Sequence, residues 1–188
     1  MTARGRSQAA PVPLLWNVAG LLGEPAGSVR DYAVEGISIE PGEDLRLARP
    51  IDGQVHLART NRGLLVDAGF RTALAMECAR CLREIEVPIE IEIREEAIPS
   101  VDLHSGLPVA SAVGEDEVLR LTDHHELDLE QTVREGIQLA EPIAPLCRDD
   151  CPGLCAVCGE RLDDGTHDHP DEDIDPRLEA LRSFRPEG

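Results

Sequence analysis

Over residues 84–93 the chain alternates without slipping phase: Ile85, Val87, Ile89, Ile91 and Ile93 fall on one side, and Glu84, Glu86, Glu90 and Glu92 on the other. Successive side chains of a strand point to opposite faces, so this pattern is that of an antiparallel strand with one face in a core and one in water. Pro88 lies inside it and has no backbone donor, which predicts an edge strand or a bulge. Shorter segments at 45–48, 54–58, 64–66 and 71–77 precede it, separated by Pro50/Asp52/Gly53, Asn61/Gly63 and Ala68/Gly69. Such spacing predicts a meander of short strands between Tyr32 and Ile98. The expected fold class is therefore α+β: an antiparallel β-meander or barrel-like sheet, followed by a cysteine-rich zinc-binding segment and a C-terminal helix.

Helical spacing occurs in three places. Leu14, Leu15, Val18, Leu21 and Leu22 predict a short amphipathic helix, broken by Gly23, Pro25 and Gly27. Further on, Leu129, Val133 and Ile137 recur at i, i+4 and i+8; Asp128 is placed as N-cap, Gln131 as its capping-box partner, and Pro142 ends the segment. Asp175 and Pro176 open a last helix carrying Leu178 and Leu181. Residues 99–126 mix Pro, Ser, Gly, Asp and Glu, and read as a mobile acidic loop with one short strand at 118–121. The organisation expected is a disordered tail at 1–12, a mainly β domain at 13–142 containing a helix at 128–139, and a Cys/His-rich segment with the final helix at 143–188.

Composition excludes some chemistries. All 18 basic residues are Arg, so the P-loop, which needs a Lys on its phosphates, and Schiff-base catalysis, which needs an amine, are both ruled out. Trp16, Tyr32, Phe70 and Phe184 are the whole aromatic complement, leaving few rings to stack on bases. A formal charge of −19 opposes unassisted binding to a phosphate backbone and favours a basic protein as partner. Residues 45–83 run the other way, with seven Arg (46, 49, 59, 62, 71, 80 and 83) against Asp52, Asp67 and Glu77, and are read either as one neutral-to-basic face on an acidic protein or as scattered solvated arginines. The two Arg before the first apolar stretch mimic an export signal. However, Pro11, Pro13 and Asn17 interrupt that stretch, and no run approaches a membrane span, so the chain is read as cytoplasmic.

The chemistry lies in the cysteines. They fall at Cys78-x-x-Cys81 and at Cys147-x3-Cys151-x3-Cys155-x-x-Cys158. In a reducing compartment two CxxC pairs point to metal, because that spacing converges two thiolates on one tetrahedral ion. Gly159 directly follows Cys158, where a knuckle needs a positive φ; Pro152 and Gly153 keep Cys147, Cys151 and Cys155 on a loop. His167 and His169 add two donors, enough for one or two zinc ions. One partition joins Cys78, Cys81, Cys147 and Cys151 as a long-range staple and Cys155, Cys158, His167 and His169 as a local knuckle. Another joins Cys78, Cys81, Cys155 and Cys158. Spacing leaves both open, and leaves the histidines as ligands or as solvated polar residues. A thioredoxin-like redox pair is disfavoured because CARC runs into a strand, with no helix N-terminus to activate a thiol. Catalytic zinc would keep an open position beside a base, whereas all-cysteine sets are typical of closed structural sites. The glutamates of 84–92 read as a solvated strand face, and His124-His125 has no visible partner. No catalytic residue is assigned, and the expectation is a protein that is not an enzyme.

These blocks, CARCL at 78–82, the acidic-apolar strand, LDLEQTVREGIQLAEPIAPLC at 127–147, CPGLCAVCGERL at 151–162 and DPRLEAL at 175–181, together resemble the YceD family of large ribosomal RNA subunit accumulation proteins, over residues 14–184. Relatives commonly carry a CxC pair where this chain has His167 and His169, a departure that keeps metal-binding residue types. The resemblance implies a part in accumulation or processing of the large-subunit ribosomal RNA precursor. It further implies partners in the pre-ribosomal large subunit, rRNA or a ribosomal protein, and names a process, not a reaction.

Overall fold

The computed structural model describes residues 14–109, 118–169 and Arg177. Its elements are β1 (Leu15–Asn17), α1 (Ala19–Leu22), β2 (Val29–Ile37), β3 (Leu47–Arg59), β4 (Leu64–Glu77), β5 (Glu84–Ala97), β6 (Glu126–Asp128) and α2 (Glu130–Leu139). Strands β2-β3-β4-β5 form one antiparallel sheet in sequence order, while β1 and β6 pair as a small ribbon. The large sheet is open, with β2 and β5 as its edges, so the barrel-like closure expected from the sequence does not occur. Pro88 accordingly sits on an edge strand, opposite Ala73.

The strands are longer than their glycines and prolines suggest. β3 runs through Pro50, Asp52 and Gly53, and β4 runs through Ala68 and Gly69. Register shifts between Leu47 and Arg49 and between Arg49 and Asp52 absorb Pro50 as an irregularity in the β3–β4 ladder, where Thr72, the one buried polar side chain among the described residues, donates its hydroxyl to the Arg49 carbonyl at 2.7 Å. Of the expected breaks within this stretch, only Asn61/Gly63 is a turn; the Thr60 hydroxyl there accepts from the amides of Arg62 and Gly63.

One face of the sheet is apolar. Val34, Ile51, Val55, Leu57, Val66, Phe70, Ile91 and Ile93 are buried against Leu14, Val18, Leu21, Leu127 and the α2 stripe of Leu129, Val133 and Ile137. Leu14–Leu22 is thus not one helix: Leu15–Asn17 pairs with β6, and only Ala19–Leu22 is helical. Asp128 ends β6, yet its carboxylate accepts from the Glu130 amide at 2.9 Å, performing a cap's task one residue before α2's N-cap position, Leu129. Gln131 does not reach back as a capping box would; its side-chain amide donates to Glu135 at 2.7 Å. In the 118–121 segment Arg120 forms a single bridge to Ile98. The expected tail at 1–12 and the final helix from Asp175 lie outside the described residues, apart from Arg177. No helix among the described residues is long and apolar enough to cross a membrane.

The other face carries the charges, and here arginines of residues 45–83 meet carboxylates. Arg46 pairs with Glu84 (3.5 Å), Arg49 with Glu86 (2.7 Å) and Arg71 with Glu90 (3.0 Å). Arg59 turns onto the carbonyls of Leu22 and Gly63, and Arg83 lies 3.7 Å from Asp164. The strand register sets the arginine-rich segment beside the glutamate-rich strand, so the two neutralise each other; such exposed pairs contribute at most about 1 kcal/mol each.

Candidate metal centre

The connection between β4 and β5 is the first CxxC motif. The ladder's last pair is Glu77 and Glu84, and beyond it the Cys78 amide donates to the Arg83 carbonyl at 2.8 Å and the Leu82 amide to the Cys78 carbonyl at 2.9 Å. The second motif repeats this bonding: the Cys155 amide donates to Glu160 at 2.7 Å and the Gly159 amide to Cys155 at 2.9 Å. Two turns 77 residues apart therefore share one knuckle geometry, in which residue four after the first cysteine takes a positive φ, 55° at Leu82 and 75° at Gly159. Glycine enters that region freely and leucine only at a cost, so Leu82 is held there by its surroundings. Nothing in a leucine announces this; the equal spacing of the two motifs was the available signal.

The thiols of Cys78, Cys81, Cys147 and Cys151 converge, with all four sulfurs within 4.8 Å of one another, and Cys155, Cys158, His167 and His169 form a second group of the same compactness. This grouping is the staple-and-knuckle arrangement; Cys155 and Cys158 do not join Cys78 and Cys81. In the first cluster the Sγ separations are 3.8 Å for Cys78 and Cys151 and 3.7 Å for Cys81 and Cys147. A disulfide would need about 2.05 Å. Four thiolates around one tetrahedral ion, with metal–sulfur bonds of about 2.3 Å, stand about 3.8 Å apart. Cys78, Cys81 and Cys151 are buried, packed by Ile85, Leu146 and Leu154, so the first cluster is closed.

Electrostatics in the first cluster are those of crowded thiols. The Cys81 backbone amide, with those of Cys147 and Arg80, lowers the Cys78 thiol to about 6 against the opposing effect of burial. Cys147 is raised to about 12, chiefly by its hydrogen bond to Cys151, and burial pushes Cys151 up. One thiolate is thus favoured near neutral pH while its neighbours resist further negative charge, a resistance that a divalent cation would remove.

The second cluster is more open. Cys155 is buried, Cys158 exposed and both histidines half-buried. Cys158 Sγ lies 3.4 Å from His167 Nδ1, while His167 Nε2 sits 3.0 Å from the Arg161 carbonyl. A ring nitrogen aimed at the cluster, with its other nitrogen on a backbone acceptor, is the usual arrangement of a metal-bound imidazole. His169 Nε2 is a buried atom with no hydrogen-bond partner. An orphan of that kind is costly, and a metal ion would satisfy it. Both clusters could hold a metal ion.

Two arginines that the sequence reading did not connect with the cysteines clip the pieces together. Arg80 donates to the Cys151 carbonyl at 3.0 Å and Arg161 to the Cys81 carbonyl at 3.0 Å. Arg80, one of the seven arginines of residues 45–83, is therefore engaged in holding the first cluster's backbone.

An open antiparallel sheet, with its longest hairpin tipped by a knuckle and fastened to a downstream Cys/His segment, defines a class: antiparallel-sheet proteins carrying two compact clusters that could hold a metal ion. The chain matches the family described as "Large ribosomal RNA subunit accumulation protein YceD" over residues 66–185, and it belongs to that family. It is 33% identical over 132 residues to uncharacterized proteins of Mycobacterium tuberculosis and Mycobacterium bovis, covering 70% of this chain and 60% of each of those proteins. An uncharacterized protein of Mycobacterium leprae is 32% identical over 130 residues, covering 68% of this chain and 55% of its own length. The chain thus spans less than two thirds of the length of these relatives. No solved structure matches it. The family's description names accumulation of large-subunit ribosomal RNA and no reaction.

Proposed function

We propose that this protein is a non-enzymatic factor of large ribosomal subunit biogenesis, acting in the cytoplasm to support accumulation and processing of the 23S rRNA precursor. The observation that carries this is the family match, which spans β4, β5, α2 and both clusters. Between the two kinds of direct partner, a ribosomal protein is favoured over pre-rRNA. The chain is acidic, and Arg46, Arg49 and Arg71 are paired with glutamates and Arg94 with Asp67, so little free positive charge is left on that face to displace counterions from a phosphate backbone. Purification of the tagged protein from cells, with bound RNA and protein identified together, is expected to enrich large-subunit components, and the association is expected to survive RNase. Association lost on RNase treatment would transfer the reading to RNA, and no enrichment of large-subunit components would sink it.

Zinc is the proposed ion at both clusters, held by Cys78, Cys81, Cys147 and Cys151 and by Cys155, Cys158, His167 and His169. Thiolate and imidazole donors at tetrahedral spacing suit zinc better than hard cations, which take oxygen ligands. The ion's role is structural: it links the hairpin tip to the segment after α2. Elemental analysis of the untagged protein is expected to give two zinc per chain, and a content below about a tenth of an equivalent after metal-supplemented expression would exclude the assignment. His169→Ala should remove one of the two while leaving the melting of the sheet nearly unchanged, because the second cluster is local in sequence. Full retention of both ions would show that His169 is not a ligand.

A further inference from the structure

The charge-bearing face of the sheet is not flat. Between the edge strands it forms a trough of about 1210 Å³. The register places Ala33, Gln54, Gly69 and Glu92 in one row across β2 to β5, so two small residues, Ala33 and Gly69, open space on the floor beside Gln54 and Glu92. The flanking rows are Asp31, His56, Asp67 and Arg94 on one side and Asp52, Arg71 and Glu90 on the other. Six carboxylates line the trough, those of Asp31, Glu35, Asp52, Asp67, Glu90 and Glu92, against the single guanidinium of Arg71 and the His56 ring, which is 2.6 Å from Asp31. Arg94 approaches Asp67 at 3.5 Å from the β5 side. Towards the hairpin tip, by contrast, Arg46 and Arg49 offset Glu84 and Glu86, so the acidic excess is concentrated over the concave part of the face.

No element packs on this side of the sheet among the described residues: α2 and the β1–β6 ribbon join the core on the opposite face. Gly69 lies open at the floor, where an added Cβ would meet nothing within 4 Å. A concave surface of one sign with a low-dielectric floor raises the local concentration of oppositely charged ligands. Nucleic acid would be repelled from it, while a flexible Arg/Lys-rich segment could lay its stems over the small residues and its cations against the rims.

We propose that this trough is the docking surface for a basic polypeptide segment of the protein partner. The inference rests on the reading above that the direct partner is a protein, and it adds where and by what chemistry that partner is held.

The test uses the full-length, metal-replete chain and a fluorescent Lys/Arg-rich peptide, with a Glu/Ser-rich peptide and a single-stranded RNA as competitors. Two variants act on the trough by different means. Gly69→Phe fills the floor, and Glu35→Gln with Glu92→Gln removes charge; thermal melting checks that each is folded. The basic peptide is expected to bind the wild type in a salt-dependent way, with amide shifts confined to β2–β5, and each variant to weaken it by about tenfold, or ~1.4 kcal/mol. An Arg49→Ala variant, outside the trough, should bind within a factor of about two of the wild type. Equal binding by wild type and both trough variants would overturn the proposal, as would RNA displacing the peptide from the trough. Capture of large-subunit components from cells separates the two levels. If the wild type and Gly69→Phe capture them equally, the trough is wrong and the family reading stands. If neither captures them, both fail.

Discussion

Cys78→Ser is expected to cost the first cluster its ion and to lower the melting temperature by about 10 °C or more. Cys78 is fully buried, its amide closes the β4–β5 turn, and its sulfur lies against Cys151, which belongs to a segment beyond α2. Serine keeps the volume roughly but offers a hard oxygen in place of a thiolate, leaving the buried thiols of Cys81 and Cys151 and the half-buried Cys147 with no cation to relieve their crowding. Loosening should spread over the Cys147 to Cys158 segment, visible as faster amide exchange there, while the strands stay protected. Zinc content should fall by one ion per chain. A variant that melted like the wild type with full zinc would remove Cys78 from the ligand set.

A second large effect concerns backbone approach and not metal. At Gly63, in the β3–β4 turn, a Cβ would fall inside the van der Waals envelope of the Ala97 carbonyl oxygen, at the far end of β5 from the hairpin tip. Backbone cannot step aside as a flexible side chain can, so Gly63→Ala should destabilise the fold by about 2–4 kcal/mol. Gly69→Ala is the matched control. It sits in the same strand pair with open space around it, and alanine there should be neutral or stabilising by up to about 1 kcal/mol, because the unfolded chain loses freedom. Denaturant melts of the two variants decide the matter; equal stability would mean that the close approach at Gly63 relaxes at little cost.

Sequence pattern reached parts of this structure and stopped at others for identifiable reasons. The period of two in β5 is a local property and was legible, as was the apolar stripe of α2, since both depend only on which residues follow one another. The breaks read at Pro50, Gly53 and Gly69 were not breaks, because ladder partners on both flanks hold a strand together through residues that would end it in isolation. Leu14 to Leu22 fits a helix by spacing; β6, more than a hundred residues later, claims Leu15–Asn17 for a ribbon. The same non-locality hid the charge pattern. A run of arginines at 45–83 looks like a basic face until the register sets Glu84, Glu86 and Glu90 beside three of them. In the site, residue types and motif spacing singled out the eight residues that the structure gathers into two clusters, but their division into two groups required knowing that β4 and β5 form one hairpin with the cysteines at its tip.

That hairpin tip has a consequence for the order in which the molecule assembles. Contacts within β4–β5 are local and close early, whereas Cys81 meets Cys147 only across 66 residues of chain, so the first cluster is among the last contacts to form. During synthesis the CARC knuckle would present two ligands well before the other two emerge. An ion captured there would act as a tether that shortens the search for the C-terminal segment, and scarcity of the ion would slow the docking of that segment before it altered the sheet.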